Sequence, residues 1–231
     1  MRTLGIVGGI APASTIEYYR MLFAAYQARR PDGSAPPVII NSIDMQTMLR
    51  LIAADALDEV TTYLAGEVEK LARAGAEVAL FASNTPHVVF DAVQAQSRVP
   101  LVSIIDTAFA EARRMGLTRV GLLGTRFTMQ GTAYPRVFTR GGIAVVVPDA
   151  ADLDYVHDKY MGELVKAVFL PETRAGILGV VDRLRAQHGI DGVILGGTEL
   201  PLILRDVSDV GIPFLDTGRI HVEAALDRML E

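Results

Sequence analysis

Cysteine is absent from all 231 residues, which excludes disulfides, thiolate metal sites and cysteine nucleophiles together. Long apolar runs are missing too: none approaches the roughly 18 residues of a membrane span, so no membrane partner is expected. There is no block of like charge, and a net charge of −5 argues against nucleic acid or an anionic membrane as the main partner. The opening MRTLGIVGGIAP passes at once into a strand and a glycine turn, without the apolar segment and cleavage site of a signal peptide, and a cytoplasmic location is expected. His87, His157, His188 and His221 are dispersed without ligand spacing, so no metal site is expected.

What is present is apolar residue in quantity. Half of the chain is hydrophobic, ample for the core of one large or two small domains. Strand-like runs fall at Thr3–Val7, Val38–Ile43, Val78–Phe81, Leu101–Ile105, Val120–Leu123, Ala144–Val147, Val193–Leu195 and Pro213–Leu215, most of them separated by amphipathic helical stretches. This alternation predicts an α/β fold of two four-stranded parallel units with right-handed crossovers. Helices are expected over Ser14–Ala25, Leu57–Ala74, Tyr155–Val168, Arg174–Gln187 and Ile220–Leu230; that at Leu57 has acids early and Lys70 and Arg73 late, matching the helix dipole. Ala28–Pro37 reads as a surface loop and Asp44–Arg50 as a flap.

One stretch organises the rest. Val78 to Val89 reads VALFASNTPHVV, a strand joined to a helix that opens at Thr85-Pro86, where Thr suits the cap and Pro the first turn. Ser83 and Asn84 then sit at the carboxyl end of a parallel strand, where ligands bind and free helix amides favour an anion. Val193 to Leu200, VILGGTEL, repeats the design about half a chain later, which suggests two related halves. Gly124-Thr125 ends a third strand in the same manner. The first turn, Gly8 to Thr15, is glycine-rich but has neither the spacing of a dinucleotide fingerprint nor a P-loop lysine.

Together these turns resemble the cofactor-independent aspartate/glutamate racemase family. The resemblance runs over nearly the whole chain: Gly8-Gly9 with Pro12 and Ser14-Thr15, Asn84-Thr85-x-His87, Gly124-Thr125 with Thr128-Met129, Gly197-Thr198-Glu199-Leu200, and Asp216-Thr217 with His221. It implies two flavodoxin-like α/β domains with four-stranded parallel sheets, related by a pseudo-twofold axis, with the active site in the cleft between them. It also implies a homodimer, no cofactor (PLP-independent), and an acidic amino acid or dicarboxylate as the small-molecule partner. With the C-terminal helix returning to the first domain, the domains are expected at 1–102 plus 206–231 and at 103–205.

In the family the two turns read Cys-Asn-Thr and Cys-Thr-Glu. Inverting a stereocentre by proton transfer needs a base on one face of Cα and an acid on the other, and a thiol with a reference pKa of about 8.5 suits both roles. Ser83 and Gly197 stand at the two cysteine positions, so two-thiol racemisation is impossible in this chain. Serine is a poor base unless a neighbour takes its proton. The catalytic candidates are therefore Ser83 and Gly197 as positions, with His87 and Glu199 as the nearest titratable groups. A structural histidine and a helix N-terminal acid are the respective plain alternatives. For substrate binding the candidates are Gly9, Asn84, Thr85, Thr125 and Thr198, with Arg50 and Lys166 for a distal carboxylate; the plain alternatives are helix caps, turn residues and solvated charge. Three functions remain open: a weak or inactive racemase-family isomerase, a silent dicarboxylate-binding or amino-acid-binding protein, and a single-face lyase or hydrolase using Ser83.

Overall fold

The computed structural model describes residues 1–204 and 211–231. It divides into two compact units, Met1–Ile104 with His221–Glu231, and Ile105–Ile220. In the first, β1 (Leu4–Gly8), β2 (Val38–Ser42), β3 (Val78–Phe81) and β4 (Leu101–Val102) form a parallel sheet in the order β2-β1-β3-β4. In the second, β5 (Arg119–Gly124), β6 (Ala144–Val146), β7 (Gly192–Gly196) and β8 (Phe214–Asp216) repeat the plan as β6-β5-β7-β8. Both orders are flavodoxin-like, with the chain reversing its winding between β1 and β3 and between β5 and β7.

Strand pleat explains the first unit's two cores. Val7, Ala79 and Phe81 point to one face, under α2 (Met45–Ala53), α3 (Leu57–Arg73) and α4 (Phe90–Gln96). Leu4, Ile6, Val78 and Leu80 point to the other, under α1 (Pro12–Arg29) and α11 (Thr217–Leu230). Tyr18, Leu22 and Tyr26 of α1 meet Val222, Leu226 and Met229 of α11 there, which fixes the C-terminal helix to this unit. At the end of β1, Gly9 has φ +81, and a Cβ would lie 2.7 Å from the Ile43 nitrogen and closer still to its carbonyl oxygen; only glycine fits this turn.

In the second unit Leu123, Val193 and Leu195 face α8 (Ala150–Gly162), α9 (Pro171–His188) and α10 (Leu200–Ile203). The remaining helices are α5 (Ile104–Arg114), α6 (Arg126–Gln130) and α7 (Ala133–Arg140).

Several expectations need correction. The return to the first unit falls at Ile220/His221, because β8 pairs with β7 through Val193–Phe214 and Leu195–Asp216; the expected boundary at 206 lies outside the described residues. Asp44–Arg50 is not a loose flap: Asp44 caps α2 by accepting from the Gln46 amide, and Met48 is fully buried in the core. The helix expected at Thr85 is a 3-10 turn, Thr85–Val89, capped through the backbone by Asn84, with α4 starting only at Phe90; Thr85 is its first residue and makes no side-chain cap. The tight turn suits Pro86, which has no amide to donate, and the β-branched pair Val88-Val89. The stretch Tyr155–Val168 likewise breaks after Gly162 into a 3-10 turn, Leu164–Lys166, ending at the left-handed Ala167. No helix among the described residues is long and apolar enough to cross a membrane.

Candidate functional site

Each unit places its marked turns at the carboxyl ends of its two central strands, the position where doubly wound sheets bind ligands. In the first unit these are Gly8-Gly9 after β1 and Ser83-Asn84-Thr85 after β3. The Gly9 amide donates to Thr15 Oγ1 at 2.9 Å, so it is engaged within the turn rather than offered to a substrate. Ser83 is half-buried, and its hydroxyl has no hydrogen-bond partner among the described residues. Asn84 is buried, and its carbonyl accepts from the His87 amide at 3.0 Å.

His87 does not serve Ser83. Its Nε2 accepts from the Ile104 amide at 3.0 Å, so the proton resides on Nδ1 and the basic lone pair is already used. Its ring stacks on Phe90 and is edge-on to Phe81. Burial, and then the neighbouring His221, push its pKa down to about 3, against a small opposing pull from the carbonyls of Asn84 and Ser83. Nδ1 is buried without a hydrogen-bond partner of normal geometry. The expected proton acceptor is thus a neutral structural ring. His221 is a second one: its Nε2 donates to the Val102 carbonyl at 2.8 Å, which leaves Nδ1 to accept from the Tyr18 hydroxyl at 2.9 Å, and burial lowers its pKa to about 4. Tyr18, which carries no local sign of a role, completes this buried chain.

In the second unit Gly124-Thr125 follows β5 and Gly197-Thr198-Glu199 follows β7. Thr125 Oγ1 caps α6, accepting from the Thr128 amide at 3.3 Å. Glu199 precedes α10 but its side chain does not cap it. Its Oε2 instead accepts from Thr198 Oγ1 at 2.9 Å and, in a very short contact, from the Tyr160 hydroxyl. Both Glu199 and Tyr160 are buried. The plain reading of Glu199 as a helix acid is therefore not how the fold uses it, and Thr198 is engaged by the same carboxylate. Burial first, then the Glu199 charge, raise the Tyr160 hydroxyl well above its ordinary pKa.

The distal cations are exposed. Arg50 folds back on its own helix, its Nε donating to the Gln46 carbonyl at 3.3 Å and Nη2 to Thr47 Oγ1 at 3.2 Å. Lys166 ends the 3-10 turn before Ala167. Asp216 caps α11 through the Arg219 amide at 3.0 Å. Tyr160 is the residue sequence reasoning missed. A signal existed: Leu153, Val156, Tyr160 and Leu164 fall at helical spacing on one stripe, and all four are buried.

Two flavodoxin-like units, each with hydroxyls and a titratable group at its switch point, define a class of doubly wound enzyme built by internal repetition. Comparison with known proteins narrows it. A family model described as Asp/Glu/Hydantoin racemase matches residues 7–225. The structure superposes on a candidate Asp/Glu racemase from Yersinia pestis with a TM-score of 0.92, at 33% identity over 100% of both chains. An aspartate racemase homologue from Pyrococcus horikoshii gives 0.87, also at 33% identity over 100% of both. A broad specificity amino-acid racemase of Bacillus subtilis is 26% identical, with 98% of each chain covered. The chain belongs to the Asp/Glu/Hydantoin racemase family, and its enzyme class is that of the isomerases.

Proposed function

We propose that this protein binds an acidic amino acid and labilises its Cα proton without a cofactor, slowly, with oxygen-based groups where its family uses thiols. The observation that carries this reading is the persistence of Ser83-Asn84-Thr85 and Gly197-Thr198-Glu199 at the carboxyl ends of the central strands β3 and β7, in a chain with no cysteine. Ser83 offers an unengaged hydroxyl, Asn84 and Thr85 frame the first turn, and Glu199 holds a buried carboxylate in the second. The acidic substrate class is supported by the descriptions of the family and of the full-length structural relatives. A homodimer in the cytoplasm belongs to the same reading, and sedimentation at micromolar concentration checks the dimer.

The test is Cα proton-deuterium exchange on both enantiomers of aspartate and glutamate, followed by NMR beside a thermal-shift titration. A ligand-induced rise in melting temperature with slow exchange is the expected result. No shift at millimolar ligand sinks the substrate class, and a shift without exchange sinks the chemistry. A second reading, a silent amino-acid-binding or dicarboxylate-binding protein, is favoured by one observation: the His87 lone pair is spent on Ile104, so His87 supplies no base for Ser83. That reading takes the lead if binding occurs and exchange does not.

A further inference from the structure

Gly197 stands at a position that the resemblance assigns to a proton-carrying side chain, and the space beside its Cα is already filled. A Cβ built there would lie 2.5 Å from Cε2 and 2.7 Å from Cζ of Tyr160, with the hydroxyl oxygen nearer still. Gly197 is outside the left-handed region, so its backbone does not demand glycine. The ring demands it. Tyr160 reaches this place from the buried stripe of α8, and its hydroxyl donates to the Glu199 carboxylate two residues beyond Gly197.

We propose that the Tyr160 hydroxyl, coupled to Glu199, replaces the side chain absent at position 197 and carries the Cα proton on one face of the substrate. This rests on the proposed function. In the step, the Cα–H bond breaks and its proton passes to the Tyr160 oxygen while the proton already on that oxygen moves along the hydrogen bond to Glu199. The electron pair left on Cα spreads into the substrate α-carboxylate. In the return step Glu199 gives its proton back to Tyr160 and Tyr160 protonates Cα, so atoms and charge balance with no further reactant. Coupling matters because a phenol held well above its ordinary pKa cannot wait as a free anion near neutral pH. Accepting one proton as it releases another removes that need. Three separate features then have one cause: glycine at 197, a carboxylate that shuns the helix end beside it, and a tyrosine hydroxyl withdrawn from solvent.

The experiment is Cα proton-deuterium exchange with glutamate and aspartate on the whole protein, comparing wild type with Tyr160→Phe and Glu199→Gln, each beside a thermal-shift titration with the same amino acids. Both variants are expected to keep the ligand-induced shift while exchange falls about 10²–10⁴-fold. In both variants the loss is expected to fall on the exchange rate while the ligand-induced shift is kept, a split that lost packing alone does not produce. Glutamine keeps an acceptor for both hydroxyls, so this variant carries the test if Tyr160→Phe fails to fold. Exchange within threefold of wild type in a folded variant overturns the inference, reduces Tyr160 to a space filler and leaves the proposed function standing. A wild type that binds but never exchanges overturns both.

Discussion

The two units share one topology and spend their titratable residues in opposite ways. In the first, both histidines near the strand ends are neutral and buried, His87 accepting from the Ile104 amide and His221 bonded to Val102 and Tyr18, while the Ser83 hydroxyl, without a hydrogen-bond partner among the described residues, has no base in His87. In the second, no side chain projects from position 197, yet a carboxylate and a phenol are brought together beside it. Flavodoxin-like winding therefore fixes where chemistry can occur, but the groups available are decided by contacts far apart in sequence. The units differ in kind: one presents an open hydroxyl beside neutral buried rings, the other a carboxylate and a phenol in contact.

The largest effect expected comes from erasing that difference with thiols. Ser83→Cys together with Gly197→Cys restores the family's residues, but the new Cβ at 197 collides with Tyr160, and overpacking of this sort costs about 1–3 kcal/mol. Adding Tyr160→Ala opens the space. The triple variant is expected to racemise an acidic amino acid at least about 10²-fold faster than wild type, since each general acid or base is worth roughly 10²–10⁴. The double variant is expected to be less stable than the triple in urea unfolding relative to each one's parent background, a non-additivity that marks direct contact. Equal racemisation by double and triple variants would show that the Tyr160 ring yields freely, and the contrast between the units would weaken.

A second break strikes the first unit. His221→Ala removes the hydrogen bonds to the Tyr18 hydroxyl and the Val102 carbonyl and leaves a cavity between α1 and α11, so a loss of about 3–5 kcal/mol, in the range of large-to-small core changes, is expected in denaturant melts. Glu199→Gln, which preserves its acceptor, is expected to cost about 1 kcal/mol or less. A reversal of that order would mean the second unit, not the first, is held together by its polar network.

Acid sharpens the same contrast. The folded pKa values of His221 and His87, about 4 and about 3, lie below the unfolded value of 6.5, so the unfolded chain binds more protons between them. The stabilisation is complete above pH 6.5 and is lost as pH falls toward 4 for His221 and 3 for His87. At pH 5 each ring is expected to withdraw about 2 kcal/mol. Urea melts at pH 7.5 and pH 5 measure this, and His87→Gln is expected to remove about half of the difference. A stability flat across that interval means the rings are not buried as neutral species.

Much of this was legible before any coordinates. The eight strands, the long helices and the marked turns follow from hydrophobic period and from glycine, proline and threonine punctuation, which are local properties. The role of His87 was not, because it depends on an amide at Ile104 that only the fold brings to its ring. Tyr160 was harder still: its burial could be read from the stripe Leu153, Val156, Tyr160, Leu164, but its meeting with Gly197 is a packing fact between a helix and a strand end. Glycine at 197 did carry a clue, since a missing side chain in a close-packed interior must be answered by a larger neighbour.

The smallest effect expected separates the two candidate cations, Arg50 in the first unit and Lys166 in the second. Arg50→Ala and Lys166→Ala are both expected to change stability by no more than about 0.5 kcal/mol, as surface substitutions do. Their effects on binding should differ. The Arg50 guanidinium is oriented by the Gln46 carbonyl and the Thr47 hydroxyl on α2, and α2 begins three residues past Ser42, the β2 residue in register with Gly8 at the end of β1. A planar fork held in this way matches a carboxylate with two parallel hydrogen bonds, whereas Lys166 offers a mobile point charge at the end of a 3-10 turn. Arg50→Ala is therefore expected to weaken glutamate binding about tenfold, a change of about 1.4 kcal/mol, while leaving a substrate without the distal carboxylate unaffected, and Lys166→Ala to change neither. Calorimetry with glutamate and alanine decides the matter. If Lys166→Ala alone costs affinity, the distal carboxylate is recognised from the second unit, the one that already holds the proton pair, and the first contributes its hydroxyl turn only.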